Sequence, residues 1–163
     1  MVNLISQEMN ELMNKQIVEE LRSAYIYLGM AAWALEKGLK GLTKFMTIHA
    51  EAEEYKHAMK FVNYIQETGG RVKYGTIESV STDYENVEEL LKAAIQHEEH
   101  ITNKIKELMD LATSKNEYYT YDLLNWFIQE QIEEENLFND LYNDFLLSGK
   151  MLGVWDHHIE HPD

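Results

Sequence analysis

Four long apolar seams at helical spacing run through this chain, and each is interrupted near its middle by a carboxylate. Stepping alternately by four and three residues, the first seam reads Met13, Ile17, Glu20, Ala24, Tyr27 and Ala31, and the second Ala50, Glu54, His57, Phe61 and Tyr64. The third reads Leu91, Ala94, Glu98, Ile101, Ile105 and Leu108, and the fourth Leu124, Phe127, Gln131, Glu134, Phe138, Leu141 and Phe145. Residues so spaced share one face of an α-helix, so packing the four faces together buries the acids with them. Any one Glu is as readily explained by a surface position, but four in matching places are not. Unpaired buried carboxylates are costly, and no Lys or Arg on these seams can neutralise them.

A pair of divalent cations supplies the missing positive charge, and helix bundles build carboxylate-bridged di-metal sites in their cores. Glu54 and His57, three apart on one helix face, can grip one ion together. Where a second Glu-x-x-His would stand, the fourth helix has Gln131-Ile132-Glu133-Glu134. One metal position is therefore expected to have a nitrogen ligand and the other only oxygens, with the oxygen-only position holding its metal less tightly. Hard oxygen donors with one imidazole suit iron or manganese better than a closed structural zinc site.

The remaining candidates lie around this pair. Glu53, Glu130 and Glu133 sit one step off the seams, either as a solvated acidic face or as holders of a third, transit cation. Tyr27, on the same face as Glu20, reads as a core residue, or as an electron donor or hydrogen-bond partner beside the metals. Trp126 reads as packing. His97 and His100 fall off the face of Glu98 and are expected at the surface, and His157, His158 and His161 are expected in a frayed, solvated tail.

The fold class expected is all-α. The only Pro is Pro162, there are eight Gly, and Glu, Leu, Lys, Met and Ala are plentiful, so little would break a helix. One domain is expected over 1–163, with helices at about 6–37, 42–68, 87–115 and 119–148 and a short fifth at 152–160. Ser6 and Asn86 are the expected N-caps, the latter in a capping-box-like start with Glu89. Residues 69–86 lack a helical period and form one connection, longer than the usual two to eight residues between bundle helices. Extended, it spans the roughly 40 Å length of a bundle, which makes the second and third helices parallel.

The formal charge of −15 argues against a nucleic-acid partner, whose binding relies on Lys and Arg, and fits a surface that gathers cations. With no Cys there is no disulfide framework or thiolate cluster. No segment reaches the ~18 apolar residues that span a bilayer, so no membrane role is expected and the cytoplasm is the default location.

Across nearly its whole length the chain resembles the non-haem bacterial ferritins. The resemblance is carried by the run from Asn14 to Leu21 with Tyr27, by Glu53-Glu54-Tyr55-Lys56-His57, by His97-Glu98, by the run from Trp126 to Glu135, and by the run from Leu152 to Ile159. It implies a ferritin-like bundle in which Glu20, Glu54 and His57 bind a first iron, while Glu54, Glu98 and Glu134 hold a second, with Gln131 nearby. It further implies a third iron on Glu53, Glu130, Glu133 and Glu134, and no haem, since Tyr55 stands where haem-binding relatives have Met. A cage of twenty-four subunits, oxidation of Fe(II) by O2 or H2O2, and a ferric mineral within are likewise implied.

One departure from the pattern lies between Phe45 and Glu54, where the chain is one residue longer than the family leads one to expect. Such an insertion is commonly absorbed as a π-bulge, which bears on the placement of Glu51 and Glu53 more than on Glu54 and His57. A second is the short tail after Asp156, which bears on assembly. The leading expectation is an iron-storing ferroxidase. The alternatives are a non-storing di-metal peroxidase or oxygenase of the same fold, a DNA-protecting mini-ferritin disfavoured by the charge, and a helical interaction module with no metal dependence.

Overall fold

In the computed structural model, residues 2–162 are described and the regular structure among them is helical. The elements are α1 (Gln7–Glu36), α2 (Lys40–Ile48), a π-helical turn (His49–Glu54), α3 (Tyr55–Glu67), α4 (Val87–Ser114), α5 (Tyr118–Leu147) and α6 (Leu152–His158). The backbone passes from α2 through the π turn into α3 with helical dihedrals at both junctions, so these three form one rod. Four rods thus make the bundle, and the all-α four-helix architecture expected from the seams is what forms.

The local signals explain most helix ends. Ser6 caps α1 by accepting from the Met9 N–H, and Asn86 caps α4 by accepting from Glu89. Gly38 and Gly69 sit just past helix ends at φ +76° and +82°, the left-handed conformation that closes a helix with little strain in glycine. The start of α2 has a tertiary cap instead. Asp156 of α6 accepts from Leu42 N at 2.8 Å and Gly41 N at 3.0 Å, and this carboxylate satisfies donors that the local sequence leaves open. α2 accordingly begins at Lys40, slightly before the start expected from sequence.

The long connection does cross the bundle. Asn10 and Asn14 of α1 hold its beginning through Arg71 and Lys73, with bonds of 2.7–3.0 Å. Its later part lies over Gly29, where a Cβ would stand 2.4 Å from the Ser81 carbonyl oxygen. From Asn10 to Gly29 the helix advances roughly 28 Å at 1.5 Å per residue. The connection therefore delivers the chain to the far end of the bundle, and α3 and α4 run parallel.

The core is in two apolar parts. One gathers Tyr27, Met30, Phe45, Leu90, Phe138 and Trp155, and the other Met9, Met13, Ile17, Phe61, Ile105 and Phe127. Between them lies a layer of buried polar side chains: Glu20, His49, Glu54, His57, Glu98, Gln131 and Glu134.

Candidate metal centre

Each rod delivers its acid to this layer from mid-helix: Glu20 from α1, Glu54 from the end of the π turn, Glu98 from α4 and Glu134 from α5. All four are at most 3% exposed. Three groups of donor atoms are close enough to share a cation: Glu20, Glu54 and His57; His49, Glu54, Glu98 and Glu134; and Glu53, His57, Glu130 and Glu134. Glu54 belongs to the first two, so the geometry describes two adjacent positions joined by one carboxylate.

In the first position the His57 ring directs Nδ1 toward Glu54 Oε2 at 3.5 Å and Glu20 Oε2 at 3.9 Å. Gln16 donates to the other Glu20 oxygen at 2.9 Å, which leaves Oε2 buried without a hydrogen bond and turned toward the ring. The opposite nitrogen of His57 faces the third group, with Glu130 at 3.4 Å, Glu134 at 3.8 Å and Glu53 at 3.9 Å. Glu53 and Glu130 are each 17% exposed, so this third group lies on the way from the layer to solvent. Glu133 is not drawn in, because the adjacent Glu134 faces the core and Glu133, about 100° around α5, is on the exposed face. Trp126, 39% exposed, flanks the same opening, edge-on to Phe127 and with Lys60 Nζ 3.7 Å above its ring.

In the second group an imidazole stands beside the carboxylates, where the sequence led to the expectation of oxygens alone. His49 is fully buried, with Nε2 2.9 Å from Glu134 Oε2 and 3.2 Å from Glu54 Oε1. Residues five apart on an α-helix lie about 140° apart around the axis, so α-helical periodicity puts His49 and Glu54 on different faces. The π turn absorbs the extra residue and brings them into line, as the one-residue insertion suggested. Glu98 is held by Tyr27, whose hydroxyl donates to Oε1, and by Gln131, which donates to Oε2 at 3.2 Å. The structure thus gives Tyr27 and Gln131 a hydrogen-bonding contact with one of the acids.

Two histidines expected in solvent are also placed elsewhere. His97 is half-buried, 2.7 Å from the Ser23 hydroxyl and edge-on to Tyr27. Burial pulls its pKa down to about 4. His161 reaches back from the tail to within 3.1 Å of His49 Nδ1. His100 is largely exposed as expected, 2.9 Å from Glu19, and His157 and His158 are exposed.

Burial and mutual charge set the protonation of the layer. Burial, then the neighbouring Glu54, pushes Glu20 up to about pKa 8. Burial with the charges of Glu54 and Glu134 holds Glu98 well above the usual carboxylate range, and burial also raises Glu134. For Glu54 burial is outweighed by the two imidazoles, His49 foremost, and its carboxyl is held low. Burial opposes charge on His49 too, but Glu134 and Glu54 overcome it and push its pKa up to about 10. His57 is raised likewise against burial, by Glu130 and Glu54. The layer thus holds protons at neutral pH, and metal binding to such a set would expel them.

The fold and this layer together define a class: four-helix bundles built around a carboxylate-and-imidazole cluster of the kind that holds paired metal ions. A family model described as the ferritin-like domain matches residues 10–147, and the chain belongs to that family. A bacterial non-heme ferritin of Escherichia coli O6:H1 is 35% identical over 147 residues, covering 90% of this chain and 88% of its own. A probable bacterial non-heme ferritin-like protein of Haemophilus influenzae is 33% identical over the same shares. Among solved structures, an open-pore ferritin from the hyperthermophilic archaeon Archaeoglobus fulgidus superposes with a TM-score of 0.92 at 34% identity, covering 96% of each chain. No helix among the described residues is long and apolar enough to cross a membrane.

Proposed function

We propose that this protein is an iron-storage ferritin whose buried layer oxidises Fe(II) to Fe(III) and passes it to a ferric mineral. The observation that carries the reading is the pair of adjoining, fully buried donor groups that share Glu54: Glu20, Glu54 and His57 in one, and His49, Glu54, Glu98 and Glu134 in the other. Four carboxylates buried together with no Lys or Arg among them are stabilised when cations bind between them. Iron is the substrate here. Glu20, Glu54 and His57 would bind one Fe(II), and Glu54, Glu98 and Glu134 the other.

Holding the two ions side by side lets each give one electron to the same oxidant, O2 or H2O2. With O2 this two-electron step consumes two protons and yields H2O2. With H2O2 it likewise consumes two protons and yields water. Carboxylates stabilise the trivalent product better than the divalent substrate, which favours the step. Gln131 and Tyr27 position Glu98, and Glu53 and Glu130, with Glu134, form the path by which a third cation would enter or leave. The cage would contain twenty-four copies and work in the cytoplasm, without haem. The ferritin names of relatives matched across most of their length support storage over a non-storing di-metal oxidase.

The test is iron retained per chain after aerobic Fe(II) loading of metal-free protein, read on the size-exclusion peak with particle mass. Many more irons than the three groups can hold, on a particle of many subunits, is the expected result. Two or three irons on a small oligomer would replace storage with di-metal enzymology.

A further inference from the structure

The two ring nitrogens of His49 face different parts of the molecule. Nε2 points into the second metal position, fully buried, 2.9 Å from Glu134 Oε2 and 3.2 Å from Glu54 Oε1. Nδ1 lies 3.1 Å from His161 Nε2. The ring is fixed by aromatic neighbours, edge-on to Tyr27 and Phe138 at 4.9 Å. Donor atoms bound to one ion at about 2.1 Å and at right angles lie about 3 Å apart, which is the spacing His49 keeps from both carboxylates. A ligating imidazole also characteristically donates its other N–H to an acceptor, which fixes its tautomer and aim.

We propose that His49 Nε2 is a ligand of the second metal position and that His161, from the C-terminal tail, is its positioning residue. The inference rests on the di-metal reading above and goes beyond it: each metal position then has one imidazole, and the tail controls the second. His49 Nδ1–H donates to His161 Nε2, leaving Nε2 unprotonated toward the ion. His161 packs against Phe45 with ring centroids 4.8 Å apart. The tail is held by two contacts of α6, Asp156 on the start of α2 and the Trp155 indole donating to the Leu141 carbonyl at 3.3 Å. The short terminal helix therefore does more than close the end of the bundle. It delivers a hydrogen-bond acceptor to the metal layer, from 112 residues away in sequence.

The test uses the full-length, metal-stripped assembly and Co(II) under anaerobic conditions. X-ray absorption at two Co(II) per chain counts imidazoles per ion, and calorimetric titration gives the affinity of each ion. His161→Phe keeps a ring against Phe45 but removes the acceptor, whereas His161→Gln restores one. We expect about one imidazole per Co(II) in the unmodified protein and in H161Q. In H161F we expect the second ion to bind about 10-fold or more weakly while the first is unchanged, in the range that outer-shell partners of metal ligands command. His49→Ala should halve the imidazole count.

One imidazole per two ions in the unmodified protein would overturn the ligand assignment. An H161F titration matching the unmodified one, or an H161Q titration as weak as that of H161F, would overturn the positioning role. If the unmodified protein takes up no second ion in the bundle at all, the di-metal reading itself fails, an outcome distinct from these. Melting of the metal-free variants shows whether each folds.

Discussion

The two hairpins of the bundle contribute to the buried polar layer by different means. The α4–α5 hairpin is regular throughout and offers oxygen donors, Glu98 and Glu134, braced by the Gln131 amide. The hairpin of α1 with the α2–α3 rod supplies both imidazoles, the shared Glu54, and the break in helical regularity that aligns them. The comparison teaches that one extra residue need not displace a site. By switching to a π turn exactly where the donors cluster, the rod keeps His49, Glu54 and His57 on one face despite spacings of five and three.

The largest break in that comparison comes from the residue both positions share. Glu54→Ala removes the bridge and the counter-charge of two buried imidazoles, and it should weaken binding of both ions and slow Fe(II) oxidation by more than about 100-fold, beyond what an outer-shell change gives. Anaerobic titration and stopped-flow oxidation check this, and loss of only one ion would show that the two positions are independent.

Much of this layout is legible in sequence, and the failures have definite causes. The four acids and His57 obey α-helical spacing, so their seams point to a common buried layer, and Ser6, Asn86, Gly38 and Gly69 mark helix ends by local chemistry. His49 escapes because it is in register only through the π turn; following the expected bulge through to its i, i+5 alignment would have found it. The seat of His161 depends on the docking of α6 on the start of α2, which no local pattern encodes. His97 is half-buried off the seam, against Ser23 and Tyr27, where periodicity measured from Glu98 says nothing. Glu133 shows the converse limit, since an acid beside a site in sequence can still face solvent.

The pH dependence sharpens the contrast between the metal-free and metal-filled layer. Glu20 titrates near 4.5 when unfolded and about 8 in the bundle, so between those values the folded chain holds more protons. Its contribution therefore makes the metal-free bundle less stable as pH rises from about 4.5 to 8. The His49 cation adds stability that is complete below about 6.5 and lost as pH climbs through about 10, the same direction. Metal affinity runs the other way, because each ion displaces protons. Thermal melts across neutral pH should show a gap between Co(II)-loaded and metal-free protein that widens with pH, and a constant gap would contradict the assignment of the protons.

On the regular hairpin the effects should be smaller. Tyr27→Phe removes one donor from Glu98 but leaves the Gln131 amide in place, and we expect the second ion to bind about 10-fold more weakly at most, with the first unaffected. A titration in which the first ion suffers more would place Tyr27 in the wrong position. The smallest effect is expected from deleting Ala52. An α-helix puts residues four apart within about 40° of each other, so with the extra residue gone a regular helix still presents His49 and Glu54 on one face. The deletion should preserve folding and both ions, whereas loss of the second ion would mean that the π turn supplies more than register.

The central claim, two adjoining ions inside the bundle joined by Glu54, is tested most directly by anomalous diffraction from crystals soaked anaerobically in Fe(II). The account predicts two peaks per chain within the polar layer, one against Glu20, Glu54 and His57 and the other against Glu54, Glu98 and Glu134. Iron confined to surface acids, with the layer empty, would contradict it.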